Sequence, residues 1–434
     1  MTGKTCESVP TATPRFSQRR WFAADQAISF LMRQAVENRN VISLAAGLVD
    51  QETLPVDATR AAFERLFADP ERARAALQYG TTAGAERLRV QVAQHLARLE
   101  GCSVAELHID PDQILLTTGS QQTLALIADL LLDPGDICLV AAPTYFVFLG
   151  TLSGVGARAV PVPADEDGMR VDALEEELAR LERAGELARV KLIYVVSYYE
   201  NPTGVSLAAE RRGELVDIAR RWSKENRIFI LEDTAYRELR YDGPDLPSVW
   251  RCDGSQETVI LTHTFSKSFS PGLRVGFTVV PRELVRPLCD LKGNEDFGSA
   301  NLNQHLLATI LEEGLHEPHV QKLRRSYRLK RDAMLAAAEK HFGSLQEVSW
   351  YRPHGGLYVW MSLPPEIDTG FDGPLFQRAT EEGVMYVPGE LCFPAGDCEP
   401  ERNHLRLSFG VQSVEGIAVG MARLARAVQA VLAR

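Results

Sequence analysis

The chain carries, directly after an apolar run at residues 258–262, the stretch HTFSKSFSPGLRVG, which spans residues 263–276. Within it, Lys267 stands between two serines, and Arg274 follows across a Pro-Gly turn. A lysine amine forms an imine with an aldehyde, and the planar guanidinium of arginine matches phosphate oxygens. A lysine after a strand is ordinarily a solvated surface residue, but the whole stretch predicts a site for an aldehyde cofactor that carries a phosphate.

The segments before this stretch alternate between short β-branched runs and longer helical patterns. Strands are predicted at residues 113–117, 137–141, 191–197, 227–231 and 258–262, and helices at residues 121–132 and 208–224. This alternation predicts an α/β fold with a mostly parallel sheet and helices on both faces. Ligands bind such sheets beyond the carboxyl ends of the strands, so functional residues are expected just after each apolar run.

The two ends of the chain have different patterns from this middle part. Helices are predicted at residues 25–39, 304–331 and 414–432, and strands at residues 341–363, 384–388 and 404–409. We therefore expect an N-terminal arm at residues 1–24, the N-terminal part of a small domain at 25–74, a large cofactor-binding domain at 75–315, and a smaller α+β domain completed by residues 316–434.

The composition excludes several classes of protein. The 434 residues include 47 Lys and Arg against 58 Asp and Glu, which gives a net charge of −11. This balance repels phosphodiester backbones and argues against nucleic acid as a partner. The apolar runs fall far short of the roughly 20 residues that span a bilayer, and the first twenty residues lack the apolar core of a signal peptide. We expect a cytoplasmic protein that does not bind membranes.

A second polar motif, EDTAY, ends the predicted strand at residues 227–231 and places Asp233 and Tyr236 at the sheet edge. A carboxylate there would pair with a protonated pyridine nitrogen and keep the ring able to accept electrons. Tyr236 would reach the phenolic oxygen of such a ring. The alternative is that Asp233 is the N-cap of a following helix.

Two further loops follow predicted strands. The motif NPTG at residues 201–204 is ordinarily only a tight turn, but it places Asn201 at the same edge as Asp233 and Lys267. The motif TTGSQQ at residues 117–122 precedes a helix, whose N-terminus suits a phosphate. Ser120 and Gln121 would add donors there, although Ser120 is equally well a plain N-cap.

Two single residues complete the set of candidates. Tyr145, after the strand at residues 137–141, either stacks on a planar cofactor or packs in the core. Arg406 is flanked by apolar residues in the strand at residues 404–409. A buried arginine needs an anionic partner, so Arg406 either forms a structural ion pair or receives a substrate carboxylate.

In this order, the motifs resemble those of the class I/II pyridoxal-phosphate-dependent aminotransferases of fold type I, from about residue 41 to the C-terminus. Residues 118–122, 143–145 and 266–274 are similar to the branch with the 2-aminoadipate and kynurenine aminotransferases. The resemblance implies a mostly parallel seven-stranded sheet and pyridoxal 5'-phosphate as cofactor. It also implies ping-pong transfer of an α-amino group from an amino acid to a 2-oxo acid, with 2-oxoglutarate the expected acceptor.

The resemblance also implies roles for individual residues. Lys267, Asp233 and Tyr145 would be catalytic, with Lys267 forming the covalent imine and Tyr145 stacking on the ring. The cofactor-binding residues would be Gly119, Ser120, Gln121, Tyr145, Asn201, Asp233, Tyr236, Thr264, Ser266, Lys267 and Arg274. Tyr79 would reach the phosphate of the partner subunit in a homodimer with shared sites. Arg406, Asn201 and Gly47 would bind the substrate.

Two positions depart from the family's pattern. The Gly-Gly pair that faces the substrate appears here as Ala45-Ala46-Gly47, which alters the approach of the backbone near Ala46. Thr264 stands where serine is common, a mild change because either hydroxyl can donate to phosphate.

Other functions remain open from the motifs alone. A β-lyase or an enzyme similar to aminocyclopropane-carboxylate synthase would use the same motifs. A transcription regulator that fuses a winged-helix reader to an aminotransferase-like body is disfavoured, because the match begins within the first fifty residues and the charge is acidic. No metal is expected, since the nearest histidine pair, His316 and His319, lacks further ligands.

Overall fold

The structure is a computed structural model and describes residues 15–17, 20, 41–395 and 401–433. Its strands are β1 (Ile42–Ser43), β2 (Ile114–Thr117), β3 (Ile137–Ala142), β4 (Arg158–Asp165), β5 (Gly168–Met169), β6 (Val190–Val196), β7 (Phe229–Asp233), β8 (Val259–Thr264), β9 (Gly276–Val279), β10 (Ser349–Trp350), β11 (Tyr358–Ser362), β12 (Val384–Met385), β13 (Val387–Pro388) and β14 (His404–Ser408). Its helices are α1 (Val56–Ala68), α2 (Pro70–Leu77), α3 (Glu86–Leu99), α4 (Val104–Leu107), α5 (Ser120–Leu131), α6 (Phe146–Gly154), α7 (Val171–Arg183), α8 (Ala209–Trp222), α9 (Val249–Cys252), α10 (Arg282–Asp296), α11 (Asn301–Glu312), α12 (His316–Phe342), α13 (Pro374–Glu381) and α14 (Val414–Leu432).

The large sheet has the strand order β2-β9-β8-β7-β6-β3-β4-β5. The five strands β8, β7, β6, β3 and β4 are parallel to one another, whereas β9 is antiparallel to both β2 and β8. Seven strands have four residues or more, and β5 adds a two-residue antiparallel edge. The predicted mostly parallel α/β sheet is therefore confirmed. The carboxyl ends of β2, β3, β6, β7 and β8 meet at one edge.

Helices cover both faces of this sheet. Along β3, Cys138 and Val140 belong to one buried apolar cluster, while Leu139 and Ala141 belong to another. Because successive side chains of a strand point to opposite faces, each face has its own core. A strand buried on both faces is apolar throughout, which is why such runs were visible in the sequence.

Three strands of the large sheet, β4, β9 and the two-residue β5, were not predicted from the sequence. In β4, buried Val160 and Val162 alternate with exposed Pro161 and Pro163, so no continuous apolar run marks this strand. The four-residue β9 directly follows the turn that contains Arg274. The alternation of strands and helices predicts only parallel strands, so it gives no signal for an antiparallel strand such as β9.

A second, antiparallel sheet has the order β10-β11-β14-β13, and β1 pairs with β12 in parallel. The register of this sheet places Trp360 of β11 opposite Arg406 of β14. This α+β part brings Arg406 to the large sheet. The domain boundaries proposed from the sequence stay a prediction.

Some predictions for the tail were wrong in extent. The predicted helix at residues 304–331 is two helices, α11 and α12, separated by a turn at residues 313–315. The predicted strand at 341–363 begins too early, because α12 continues to Phe342 and only β10 and β11 are strands. The closing helix α14 is confirmed. The predicted helix at residues 25–39 lies outside the described residues.

No helix in the described part of the chain is long and apolar enough to cross a membrane. The cytoplasmic location stays a prediction.

Candidate active site

Lys267 lies in the turn that follows β8, and the residues two positions before and after it, Phe265 and Phe269, are buried. Its Nζ atom donates to the carbonyl oxygen of Gly47 at 2.9 Å. Burial lowers the pKa of the Lys267 amine, and the positive charges of Arg406 and Arg274 lower it further, although Tyr358 opposes them. A lowered pKa increases the fraction of neutral amine, which is the nucleophilic form.

Asp233 is the last residue of β7 and is buried. One carboxylate oxygen accepts from the backbone N–H of Ala235 at 3.0 Å, and the other accepts from the hydroxyl of Tyr194 at 3.3 Å. Burial raises the pKa of the Asp233 carboxyl to about 6. A turn rather than a helix follows at residues 235–238, so the alternative that Asp233 is a helix N-cap is wrong.

Gly119 is the N-cap of α5, and Ser120 is the first residue of the helix. The alternative that Ser120 is the N-cap is therefore wrong. Gly119 has a φ of 73°, a conformation that glycine adopts readily. Because this cap has no side-chain hydrogen bond, the first N–H groups of α5 remain available to an anion.

Hydroxyls and a guanidinium surround this helix N-terminus. Arg274 donates to the carbonyl oxygen of Thr118 at 3.1 Å and to the hydroxyl of Ser266 at 3.3 Å. The Thr264 hydroxyl donates to the same Ser266 oxygen at 2.9 Å. These donors come from the loops after β2 and β8, and together they form a cradle of the kind that binds phosphate.

Arg406 is only 3% exposed and points from β14 towards the large sheet. Its Nη1 atom donates to Oδ1 of Asn201 at 2.8 Å, and its Nη2 atom donates to the carbonyl oxygen of Ala45 at 2.6 Å. Its Nε atom is buried without a partner in the described part of the chain. Among those residues no carboxylate pairs with Arg406, so the alternative of a structural ion pair finds no support there.

Tyr145 and Tyr79, two of the predicted cofactor-binding residues, have very different surroundings. The Tyr145 hydroxyl lies 3.5 Å from the side-chain oxygen of Gln121, and Gln121 donates in turn to Thr151 at 3.2 Å. Tyr79, in contrast, is 82% exposed, with its ring against that of Phe297 at 5.6 Å between centroids. The structure thus brings Tyr145 and Gln121 together and leaves Tyr79 on the surface.

The sequence analysis missed Tyr358 and Glu200 at this site. The hydroxyl of Tyr358 lies 3.2 Å from that of Tyr236, and its ring lies 4.4 Å from the guanidinium carbon of Arg406. Glu200 contacts the hydroxyls of Thr144 and Thr203, and burial raises the pKa of its carboxyl to about 8. The sequence held a signal for each of them. The Gly355-Gly356 pair indicates a change of chain direction shortly before Tyr358, and Glu200 directly precedes the NPTG motif.

A separate buried group consists of His95, His263 and Glu238, whose nitrogen and oxygen atoms lie within 4.8 Å of one another. His263 Nδ1 faces the carbonyl oxygen of Thr234 at 3.1 Å, and its Nε2 lies 3.2 Å from Glu238. Arg98 donates to Nδ1 of His95 at 3.2 Å, which leaves the proton of a neutral His95 on Nε2, facing Glu238. This donor pattern describes a hydrogen-bonded cluster around a buried carboxylate and does not favour metal coordination.

The residues at the sheet edge fit a phosphorylated aldehyde on a pyridine ring. They provide one buried amine, one buried carboxylate, an amide and a tyrosine for the ring, and a cradle of hydroxyls, N–H groups and a guanidinium for the phosphate. Arg406 adds a cationic fork that has no anionic partner among the described residues. Such an arrangement suits chemistry on a small molecule that carries a carboxylate.

Comparisons with known proteins agree with this arrangement. The family model for aminotransferase class I and II matches residues 39–423. Aromatic-amino-acid aminotransferase 1 of Thermococcus litoralis is 35% identical over 394 residues, which cover 91% of this chain and 89% of that protein. The crystal structure of Pyrococcus horikoshii kynurenine aminotransferase with PMP has a TM-score of 0.87 at 33% identity, covering 96% of this chain and 97% of that one. The α-aminoadipate aminotransferase LysN of Thermus thermophilus, complexed with N-(5'-phosphopyridoxyl)-L-leucine, has a TM-score of 0.82 at 34% identity and covers 96% and 98%.

Proposed function

We propose, on the premise that this chain belongs to the aminotransferase class I and II family, that it moves the α-amino group of an amino acid to 2-oxoglutarate in two half-reactions. The protein is a pyridoxal-phosphate-dependent aminotransferase, and its substrates are an amino acid and a 2-oxo acid. The proposal depends on Arg406, which is buried and has no carboxylate partner among the described residues, because both kinds of substrate bring an α-carboxylate.

Pyridoxal phosphate, when bound, supplies an aldehyde that takes up the amino group and a pyridine ring that accepts electrons from the substrate α-carbon. We propose that Lys267 is the residue that would hold this aldehyde through Nζ. When not bound to the cofactor, the same amine would accept the proton of the substrate α-carbon and donate it back on the cofactor side. The lowered pKa of Lys267 favours the neutral amine that this transfer needs.

Asp233 and Tyr236 are proposed to hold the ring. The Asp233 carboxylate would pair with the protonated ring nitrogen, and that pairing would lower the carboxyl pKa again, since a neighbouring positive charge favours the ionised form. Tyr236 and Asn201 would bind the phenolic oxygen, and Tyr145 would stack on the ring. These groups come from three separate loops of one rigid sheet edge, which fixes the orientation of the ring.

The cradle at the N-terminus of α5 is proposed to bind the phosphate. Gly119, Ser120 and Gln121 would contribute donors from the loop after β2. Thr264, Ser266 and Arg274 would contribute donors from the loop after β8. Charge-assisted hydrogen bonds of about 1.5–3 kcal/mol each would retain the cofactor while its bond to Lys267 is broken.

Arg406 and Asn201 are proposed to bind the substrate α-carboxylate, with Gly47 beside it. The present acceptors of Arg406 are two neutral oxygens, from Asn201 and Ala45. A carboxylate is a stronger acceptor than either of them. Holding the carboxylate in this place would direct the α-carbon towards Lys267.

We also propose that the enzyme is a homodimer in which each subunit completes the other's site. The exposed Tyr79 and the neighbouring exposed Phe297 support this proposal, because they form an apolar pair on the surface. Tyr79 would reach the phosphate bound by the partner subunit.

The function is tested with purified protein loaded with pyridoxal phosphate, 2-oxoglutarate as acceptor, and a panel of amino donors that begins with aromatic amino acids, kynurenine and 2-aminoadipate. We expect glutamate to form, with parallel double-reciprocal plots that indicate ping-pong kinetics. Borohydride reduction and peptide mapping should place the pyridoxyl group on Lys267. Release of ammonia or pyruvate in place of glutamate would refute amino transfer.

A further inference from the structure

Tyr358 lies within the site, yet the function proposed above gives it no role. It is the first residue of β11, two residues after Gly356, and is 1% exposed. Its ring meets that of Tyr236 edge to face at 5.7 Å, and the two hydroxyl oxygens are 3.2 Å apart. The second sheet therefore contributes a hydroxyl directly to the residue that is proposed to bind the phenolic oxygen.

The position of the Tyr358 hydroxyl is closely defined by its neighbours. A Cβ atom added to Gly47 would lie only 2.8 Å from it, so the backbone at this position leaves just enough room for the hydroxyl. The guanidinium of Arg406 lies over the ring at 4.4 Å, which fixes the ring plane through a cation–π contact. A phenylalanine here would keep the ring contacts and lose the hydroxyl, and with it both the hydrogen bond to Tyr236 and the influence of Tyr358 on Lys267.

The direction of the hydrogen bond follows from counting protons. A tyrosine hydroxyl has one proton to donate and can also accept. If Tyr236 donates to the phenolic oxygen of the cofactor, it cannot donate to Tyr358 as well. Tyr358 must then donate to Tyr236.

We propose that Tyr358 is a positioning residue, which donates a hydrogen bond to Tyr236 and thereby strengthens the bond from Tyr236 to the phenolic oxygen of the cofactor. Hydrogen bonds in a chain polarise one another, so the second bond is stronger when the first is present. A stronger bond stabilises the ionised phenolic oxygen and lowers the pKa of the linkage between Lys267 and the cofactor. This inference rests on the proposed binding of the cofactor by Lys267 and Tyr236.

The ionisable groups that surround Tyr358 come from five other parts of the fold and must be considered in any pH measurement. They are Lys267, Arg406, Tyr236, Tyr145 and Tyr327. Burial raises the pKa of the tyrosines Tyr236, Tyr145 and Tyr327 above the usual value, so they keep their protons at neutral pH. Pairing with the ring nitrogen would lower the pKa of Asp233 again from its value of about 6, so the charge that changes near neutral pH would be that of the Lys267–cofactor linkage.

The test compares Tyr358→Phe with the wild type as the loaded enzyme, by titrating the absorbance of the bound cofactor with pH. We expect the linkage pKa to rise by a few tenths of a pH unit, because a neighbouring hydrogen bond strengthens the bond from Tyr236 by about 10–30%. Tyr386→Phe is the matched control, because Tyr386 is also buried and its hydroxyl donates to the carbonyl oxygen of Thr369 at 2.9 Å. That control should leave the linkage pKa unchanged.

A second comparison shows whether the effect passes through Tyr236. In a Tyr236→Phe background, the additional Tyr358→Phe change should shift the linkage pKa no further. The inference would be overturned by a full further shift in this background or by an unchanged linkage pKa in Tyr358→Phe alone. It would also be overturned if Tyr358→Phe only raised KM, because that result indicates direct contact with the substrate.

Two further measurements keep the result interpretable. If Tyr358→Phe fails to fold, Gly47→Ala replaces it, since the added Cβ would displace the Tyr358 hydroxyl; an unchanged linkage pKa in that variant overturns the inference. Borohydride mapping of the wild type tests Lys267 independently. A protein that binds cofactor at Lys267 but shows no effect at Tyr358 refutes this inference and leaves the proposed function intact.

Discussion

Arg406 donates a hydrogen bond of 2.8 Å to the side-chain oxygen of Asn201, and this bond joins the antiparallel sheet to the carboxyl edge of the large sheet. Both partners come from segments that are 205 residues apart in the chain. The guanidinium is thereby held in place before any substrate arrives. Its strongest acceptor at present is neutral, which leaves its charge available for an incoming carboxylate.

Arg406→Lys should therefore weaken substrate binding without unfolding the protein. Lysine keeps the charge and loses the planar fork that binds a carboxylate through two bonds. Losing about one charge-assisted bond predicts a fall in kcat/KM of roughly 10- to 100-fold for both the amino donor and the 2-oxo acid. Arg352→Lys, at an exposed position, is the control and should retain full activity. An equal loss in both variants would contradict the assignment.

Asp233→Asn should stabilise the cofactor-free protein at neutral pH and weaken its binding of the cofactor. Burial raises the pKa of Asp233 to about 6, above the roughly 3.9 of an unfolded chain. The folded state then binds more protons than the unfolded state between these values, so stability is lost as the pH rises from about 4 to 6. The asparagine variant avoids this loss, which amounts to at most about 3 kcal/mol at pH 7.

Urea unfolding of cofactor-free protein at pH 4.5 and pH 7.5 measures this difference, and cofactor titration measures the affinity. The exposed Asp290→Asn is the control. If the asparagine variant is less stable than the wild type at both pH values, burial is not the main cause that sets the pKa of Asp233 in the folded protein.

His319→Gln should reduce the loss of folding stability that the protein undergoes as the pH falls. Burial lowers the pKa of His319 to about 4 and that of His316 to about 3. Both values lie below the roughly 6.5 of an unfolded chain. The unfolded state then binds more protons, so stability is present above pH 6.5 and is lost as the pH falls towards 4. Removing one of the two histidines should flatten the pH dependence of the free energy of unfolding between pH 7 and pH 4.5.

The exposed His354→Gln serves as the control for this measurement and should keep the wild-type slope. A wild-type slope in His319→Gln as well would mean that this histidine is already charged in the folded state.

The candidate residues that the sequence revealed share one property. Lys267, Asp233, Asn201 and Ser120 each lie in or next to a loop after a strand of the large sheet, and the carboxyl ends of these four strands meet at a common edge. Predicting where each strand ends was therefore enough to predict the position of the polar residue after it, without knowing how distant segments pair.

Tyr358 could not be placed in this way. Its position depends on the pairing of β11 with β14 and on the docking of that sheet near Gly47. The strand pairing joins residues 42–50 positions apart and the contact with Gly47 joins residues 311 positions apart, and the geometry of both is set by packing between sheets. The same dependence explains why Arg406 was left between two interpretations, since only the fold shows which carboxylates lie within reach.

Gly119→Ala should damage the phosphate cradle more than its small size suggests. The residue has a φ of 73°, where an alanine is strained, and a Cβ atom there would lie 2.7 Å from Nη2 of Arg274. Either the N-terminus of α5 or the Arg274 side chain must move, and both are proposed to bind the phosphate. We expect the dissociation constant for pyridoxal phosphate to rise roughly 10-fold or more, because about one charge-assisted bond is lost. Gly154→Ala, with open space around its added Cβ, is the matched control. If both variants bind the cofactor as tightly as the wild type, the phosphate does not lie at this helix terminus, and Arg274 loses its proposed role with it.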